Sequence, residues 1–196
     1  MTWEQLSPSD IHLWTCKYLK GQVDALKRKA LSNYLKEPPQ SLEFDENENG
    51  KPYLKNQNKF FFNLSHSADT LMIAISNAEV GVDIEKLSAT RNIESIANKI
   101  MSVDQYSRFD RIEDPASRLN AFYQYWTGFE ALVKALGLTQ FADHPSLKRY
   151  FIDDFKNPDA YVYEWTITNL KFVEGYSVSV ASQLKAPNFS TYKLLA

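Results

Sequence analysis

Two acidic residues in the pentapeptide "GVDIE", residues 81–85, have the spacing of a shared binding face. Asp83 and Glu85 are two positions apart, so on a β-strand both side chains point to one side of the sheet. Val82 and Ile84 then point to the other side and can pack in a core. Two neighbouring carboxylates repel each other unless they are solvated or share a cation. A solvated sheet face is therefore the simpler interpretation of this stretch alone.

A second stretch, "FYQYWTGFEALVKALG" at residues 122–137, presents three chemistries along one side of a predicted helix. Trp126, Glu130 and Lys134 follow one another at steps of four. Glu130 four residues before Lys134 is also the favoured order for an ordinary helical ion pair, worth only about 0.2–0.5 kcal/mol. This stretch alone is consistent with either a core edge or half of an active site.

Taken together, the two stretches favour magnesium-assisted chemistry on a phosphate. Asp83, Glu85 and Glu130 are hard oxygen ligands of the kind that Mg²⁺ prefers, and Mg²⁺ usually keeps positions for water and substrate phosphate. Lys134, one turn beyond Glu130, suits a phosphate as a point charge. Such chemistry depends on positioning and charge and needs no protein nucleophile.

Other catalytic patterns are missing from the sequence. There is no Gly-x-Ser-x-Gly elbow, no Walker loop and no Rossmann glycine set. Cys16 is the single cysteine, so no internal disulfide can form, and a reducing compartment is expected.

Composition favours an ordinary globular protein. The 196 residues carry a net charge of −2, with 44% hydrophobic and 23% charged residues. Bulk charge therefore gives no reason to expect nucleic acid or a membrane as a partner. The start of the sequence lacks the features of a signal peptide, and we expect a cytoplasmic protein.

The spacing of apolar and turn residues predicts an α+β fold. A strand, a turn and two further strands are expected over residues 59–87, and an apolar–polar alternation around Glu174 and Gly175 predicts a hairpin. Helices are predicted at residues 8–35, 91–113 and 116–136, with Gly137 as the C′ residue of the last.

The plan of the two halves is similar, with an apolar strand, a short polar turn and an alternating strand in each. We therefore predict an N-terminal half at 1–105 and a C-terminal half at 106–196.

Four motifs in order resemble the 4′-phosphopantetheinyl transferases, in particular their single-chain, pseudo-dimeric type, which includes the surfactin-synthetase activator. They are "GKP" at 50–52, "FNLSHS" at 62–67, "GVDIE" at 81–85 and "WTGFEALVK" at 126–134. "GYSVSVAS" at 175–182 is similar to the late strand of that type.

The resemblance implies two similar α/β halves with the active site in the cleft between them. It implies Mg²⁺-dependent transfer of the phosphopantetheine arm of coenzyme A to a serine of an apo acyl, polyketide or peptidyl carrier protein. This is the activity of a holo-[acyl-carrier-protein] synthase type enzyme. A single chain should suffice, so we expect a monomer.

The resemblance also assigns roles to residues. Asp83, Glu85 and Glu130 would be the metal ligands, and Glu130 would be the base for the carrier serine, directly or through a water. Lys134 would contact the phosphates. Coenzyme A would be bound by Lys51, Ser65, His66 and Lys134, with His66 reaching a phosphate during catalysis. Trp126 and Asn63 are expected to be structural.

The sequence departs from the family pattern at Phe129, where a lysine usually precedes the signature glutamate. We expect the ring to pack at the cleft edge and the enzyme to be slow, with Phe129→Lys speeding transfer. The alternative is a catalytically weakened homologue that binds coenzyme A or a carrier protein. The contacts to the 3′-phosphate of coenzyme A are expected to come from a basic run, with no single residue assigned. Its members are Lys17, Lys20, Lys27, Arg28 and Lys29.

Overall fold

A computed structural model describes residues 6–138, 159–162 and 164–194, with side chains omitted for 159–162. The strands are β1 Asp10–Lys17, β2 Phe44–Glu46, β3 Pro52–Leu54, β4 Phe61–Ser67, β5 Thr70–Ser76, β6 Val80–Lys86, β7 Asp159–Val162, β8 Trp165–Leu170, β9 Tyr176–Ser182 and β10 Asn188–Lys193. The helices are α1 Val23–Leu35, α2 Ile93–Ile100, α3 Val103–Asp110 and α4 Pro115–Ala135. The mixed α+β class is as predicted.

Two four-stranded sheets form the centre of the molecule. Their strand orders are β10-β1-β5-β4 and β6-β9-β8-β7, and β2 and β3 form a separate pair. The first sheet packs on α1 through one core, whose members include Trp14 and Leu31. A second core, which includes Leu13 and Val82, lies between the two sheets. A third core joins the second sheet to α2, α3 and α4.

Both sheets repeat one pairing pattern. In the first sheet β1 pairs antiparallel with β5, which pairs antiparallel with β4. In the second sheet β6 pairs antiparallel with β9, which pairs antiparallel with β8. The two sheets do not follow the predicted boundary at residue 105. β6 precedes this residue but belongs to the second sheet, and β10 follows it but belongs to the first. The division at that residue stays a prediction.

The predicted helix at 8–35 is wrong in its first part, because residues 10–17 form β1. This strand is central in its sheet, and its two faces enter different cores: Leu13 packs between the sheets and Trp14 packs toward α1. Since both faces enter a core, apolar residues occur on both, and the strand lacks the clean apolar–polar alternation of a half-exposed strand. The helix itself begins at Val23.

The other predicted elements are close to those observed. The strands after residue 59 and the late hairpin of β8 and β9 are present, and α4 spans 115–135 against the predicted 116–136. Residues 91–113 form two helices rather than one, because Ser102 starts α3 with a capping box. No helix within the described ranges has both the length and the apolar character needed to cross a membrane.

Helix α4 lies directly on β6, and Gly81 makes this close contact possible. A Cβ atom added at Gly81 would overlap the carbonyl oxygen of Ala131 and the amide nitrogen of Ala135, and would lie 2.8 Å from the Ala135 Cα. These are backbone atoms of α4, which no change of rotamer can move away. Any larger residue at position 81 must therefore push the helix off the strand.

Gly81→Ala should lower the free energy of unfolding by about 1–3 kcal/mol or more, the usual cost of overpacking. Urea titration followed by circular dichroism measures the change. The control is Gly175→Ala, at a positive φ of 75° with no atom within 4 Å of the added Cβ, which carries backbone strain without overlap. Unchanged stability of the Gly81 variant would contradict the proposed contact.

Candidate active site

One cavity of about 340 Å³ is formed where β4, β6 and α4 meet. Its lining residues are Leu64, Ser65, His66, Asp83, Glu85, Trp126, Glu130 and Lys134. The structure therefore brings together all three predicted metal ligands. It also brings Ser65, His66 and Lys134 to them. Lys51 and the predicted basic residues of the N-terminal region do not line this cavity.

Asp83 is the most buried acid of the cavity, with 5% of its surface exposed. Its Oδ1 accepts hydrogen bonds from the Lys134 ammonium at 2.6 Å and from the Ser65 hydroxyl at 2.7 Å. Its Oδ2 is buried and has no hydrogen-bond partner in the part of the chain that the structure describes. A buried carboxylate oxygen without a donor is costly, so this atom suits a cation or a donor from a ligand.

The pKa of the Glu130 carboxyl is affected by burial and by the negative charges of Asp83 and Glu85. Burial raises the pKa of the Glu130 carboxyl, and so does the negative charge of Asp83 and Glu85, while the Lys134 ammonium opposes the shift. As the side chains stand, no group of three or more His, Cys, Asp or Glu residues among those described is arranged to hold a metal ion. The three carboxylates nevertheless provide the oxygen donors that fit Mg²⁺, in one cavity.

Glu85 is held from two sides. Its Oε2 accepts a hydrogen bond from the Ser67 hydroxyl at 2.9 Å, and its Oε1 lies 3.9 Å from the Arg91 guanidinium. Arg91 also stands over the Tyr123 ring, 5.7 Å from its centroid. Ser67 and Arg91 were not predicted as site residues from the sequence. The alternation of Asn63, Ser65 and Ser67 along one strand is the signal that identifies Ser67, whereas no comparable pattern indicates Arg91.

His66 lies on β4 rather than on the turn where the sequence analysis expected it. It is exposed at the rim of the cavity, and its ring centroid lies 5.4 Å from that of Tyr18. Trp126 also lines the cavity, and its ring stacks on that of Phe122 with an interplanar angle of 15°. The Trp126 indole N–H is buried without an acceptor among the described residues.

Lys51 lies outside this cavity and contacts the end of α4. Its ammonium donates to the Glu79 carboxylate at 2.7 Å and to the Ala135 carbonyl oxygen at 2.8 Å. It lines a different cavity, of about 300 Å³, with Tyr53 and Phe60. A cation at a helix C-terminus is favoured by the exposed carbonyl groups there. The predicted contact of Lys51 with coenzyme A therefore competes with these two internal partners.

The loop that carries Lys51 also closes the end of α4. Gly137 has a positive φ of 68°, and its N–H donates to the Lys134 carbonyl oxygen at 3.1 Å. The amides of Asn47 and Asn49 donate to the Gly137 carbonyl oxygen at 3.1 and 2.9 Å. Gly137 is thus the C′ residue, as predicted, and the loop between β2 and β3 fixes the helix turn that carries Lys134.

Phe129 does not lie at the cleft edge, and that expectation was wrong. The residue is 1% exposed, belongs to the core between α4 and its neighbouring helices, and stacks on Tyr125 with the rings 14° apart. One position along a helix turns the side chain by about 100°, which directs Phe129 away from the Glu130 stripe. The family's usual lysine is still missing at this position, so the expectation of a slow enzyme and the alternative of a binding-only homologue both stay predictions.

Three of the five predicted basic residues of the N-terminal region form ion pairs within the chain. Lys27 and Arg28 both form ion pairs with Asp24, at 2.8 and 2.6 Å. Lys17 on β1 pairs with Asp69 at 2.6 Å. The predicted contacts of these residues with a 3′-phosphate stay predictions.

Comparison with protein families identifies the class. The profile described as "4′-phosphopantetheinyl transferase superfamily" matches residues 79–181, more than half of the chain. The profile "4′-phosphopantetheinyl transferase, N-terminal" matches residues 18–78. The chain therefore belongs to the 4′-phosphopantetheinyl transferase family.

Individual relatives agree with this assignment. The chain is 30% identical over 178 residues to 4′-phosphopantetheinyl transferase gsp of Aneurinibacillus migulanus, covering 87% of this chain and 71% of the relative. It is 40% identical over 91 residues to 4′-phosphopantetheinyl transferase AcpT of Salmonella typhi, covering 46% and 47%. It is 37% identical over 101 residues to 4′-phosphopantetheinyl transferase psf-1 of Bacillus pumilus, covering 51% and 42%. The matches to the last two thus span about half the length of those proteins or less.

Lys51→Met should lower the free energy of unfolding by about 1–3 kcal/mol, because it removes a charged donor from the Ala135 carbonyl oxygen and leaves Glu79 without its partner. Urea titration measures the loss, with Lys55→Met as the control, since Lys55 pairs at 3.6 Å with a half-exposed Asp45. Unchanged stability combined with weaker coenzyme A binding would instead support the original role predicted for Lys51.

Phe129→Lys should destabilise the protein by about 3–5 kcal/mol, because it places an uncompensated ammonium in a packed core. This replaces the expectation that the substitution speeds transfer. Differential scanning calorimetry against Phe129→Leu, which keeps an apolar side chain, separates the cost of charge from the cost of lost volume. A stable, faster Phe129→Lys enzyme would show that the side chain reaches the cavity after all.

Proposed function

We propose that this chain transfers the 4′-phosphopantetheine arm of coenzyme A to a serine hydroxyl of an apo carrier protein. The carrier would be an acyl, polyketide or peptidyl carrier, as for a holo-[acyl-carrier-protein] synthase type enzyme. The observation that carries the proposal is the single cavity in which Asp83, Glu85 and Glu130 meet Lys134. Membership of the transferase family supplies the reaction class.

Asp83, Glu85 and Glu130 would hold Mg²⁺ in this proposal. The buried Oδ2 of Asp83, which lacks a donor among the described residues, supports the fit. Bound there, Mg²⁺ would neutralise the charge that develops on the pyrophosphate as its P–O bond breaks.

The side chains of the cavity would accept the serine proton and bind the phosphates and the coenzyme. Glu130 accepts the proton of the carrier serine, and the raised pKa of its carboxyl makes it a stronger base than an ordinary glutamate. The serine oxygen then attacks the β-phosphorus of coenzyme A, and adenosine 3′,5′-bisphosphate leaves. Lys134 would hold the phosphates by charge. His66, exposed at the cavity rim, and Ser65 would contact the coenzyme from the β4 side.

The proposal includes a pseudo-dimer within one chain. It is supported by the shared pairing pattern, β1-β5-β4 in one sheet and β6-β9-β8 in the other. The cavity combines β4 of the first sheet with β6 of the second sheet and with α4, which packs on the second sheet. One chain therefore supplies every side chain named above. A cytoplasmic monomer acting on carriers, without nucleic acid or membrane, is part of this proposal.

The activity is tested by mixing the protein with Mg²⁺, coenzyme A and a panel of apo carriers and measuring the intact mass of each carrier. At least one carrier should gain the mass of one phosphopantetheine arm, and Asp83→Ala should abolish the gain without unfolding the protein. The control is Asp45→Ala, which removes an exposed carboxylate on β2. Coenzyme A binding with no gain on any carrier would favour a binding module.

A further inference from the structure

Three polar side chains of β4 replace backbone pairing along one edge of β6. They occupy alternate positions and point toward the second sheet, where each accepts a hydrogen bond from a backbone N–H of β6. The bonds run from Val82 to Asn63 Oδ1 at 2.9 Å, from Ile84 to Ser65 Oγ at 3.3 Å and from Lys86 to Ser67 Oγ at 3.0 Å. We call these three residues the β4 ladder.

The two serines of the β4 ladder also donate to the acids of the cavity. Ser65 donates to Asp83 Oδ1 at 2.7 Å, and Ser67 donates to Glu85 Oε2 at 2.9 Å. A hydroxyl that accepts from an N–H keeps its own hydrogen for another acceptor. Each serine therefore links an acidic side chain to the backbone N–H of the residue that follows it on β6.

We infer that Ser67 is a positioning residue that presets the Glu85 carboxylate for a divalent cation, with Ser65 doing the same for Asp83. This inference rests on the proposed function. Hydrogen bonds to metal-binding carboxylates orient them before the metal arrives, and loss of one typically costs about 10–100-fold in metal affinity or activity. The repeat of one geometry at two successive acids argues that it serves the acids and not only the join between the sheets.

Ser67 is the sharper test of the two serines. Asp83 is also held by Lys134 at 2.6 Å, so losing the Ser65 hydroxyl would leave it a strong partner. Glu85 has a longer side chain that is 23% exposed, and the nearest cation recorded for it among the described residues, the Arg91 guanidinium, lies 3.9 Å away. Without Ser67, the Glu85 carboxylate can therefore sample more rotamers.

The experiment measures Mn²⁺ binding to the full chain by electron paramagnetic resonance at saturating coenzyme A. Variants are Ser67→Ala, Ser67→Thr, which keeps a hydroxyl, and Asp83→Ala as the loss-of-site reference. Ser182→Ala is the matched control. Ser182 is the last residue of β9 and lies outside the cavity, and its hydroxyl also accepts a hydrogen bond from a backbone N–H, that of Leu184. Transfer assays over a range of Mg²⁺ concentrations give the half-saturating concentration and kcat separately.

Ser67→Ala should bind Mn²⁺ about tenfold or more weakly, raise the half-saturating Mg²⁺ concentration and recover kcat at high Mg²⁺. Ser67→Thr and Ser182→Ala should behave like the wild type. Wild-type affinity in Ser67→Ala, with binding lost in Asp83→Ala, would overturn the inference and leave the proposed function standing. A wild-type protein that binds coenzyme A but no Mn²⁺ would overturn both the inference and the metal assignment.

Discussion

The contact between α4 and β6 at Gly81 sets the position of the acidic cavity. Because Gly81 has no side chain, the backbone of α4 at Ala131 and Ala135 rests directly on the strand. Glu130 and Lys134 are fixed to the same helix turns, so they stand beside Asp83. A longer separation between helix and strand would break the 2.6 Å contact between Lys134 and Asp83 and open the cavity.

Three further sets of contacts hold this arrangement, each from a different part of the chain. On the second sheet, Thr127 of α4 lies within 2.6 Å of the Ser179 hydroxyl and 3.1 Å of the Ser177 hydroxyl on β9. At the helix end, the β2–β3 loop binds the last carbonyl groups through Asn47, Asn49 and Lys51. On the remaining edge of β6, the β4 ladder joins the two sheets. Hydrogen bonds between side chains and to backbone groups therefore hold the cavity in addition to apolar packing.

Local periodicity was sufficient to predict which side chains share a face, because the acids of the cavity lie on a regular strand and a regular helix. The period of two along β6 put Asp83 and Glu85 on one face, and steps of four put Glu130 and Lys134 on one stripe. That these two faces meet did not follow from periodicity. The family resemblance alone indicated it. The contact between α4 and β6 depends on Gly81, and the role of this glycine is visible only in the folded structure.

The wrong expectations share a cause: each concerned a residue whose environment is set by tertiary contacts. β1 lies between two cores and carries apolar residues on both faces, so no clean alternation distinguished it from a helix. Phe129 could be placed about 100° from the stripe, but not assigned to the core without knowing where α2 and α3 pack. Lys51 is a different case, because its predicted contact with coenzyme A stays a prediction. Its two internal acceptors, Glu79 and the Ala135 carbonyl oxygen, are far along the sequence and were not expected.

The central claim is that Asp83, Glu85 and Glu130 together form one cation site beside Lys134. Anomalous diffraction from crystals grown with Mn²⁺ and coenzyme A tests it most directly. We expect one Mn²⁺ peak in contact with these carboxylates, with a coenzyme phosphate oxygen on the ion and the Lys134 ammonium near the pyrophosphate. Coenzyme A bound in the cavity with no Mn²⁺ peak there, or with the peak on other side chains, would contradict it.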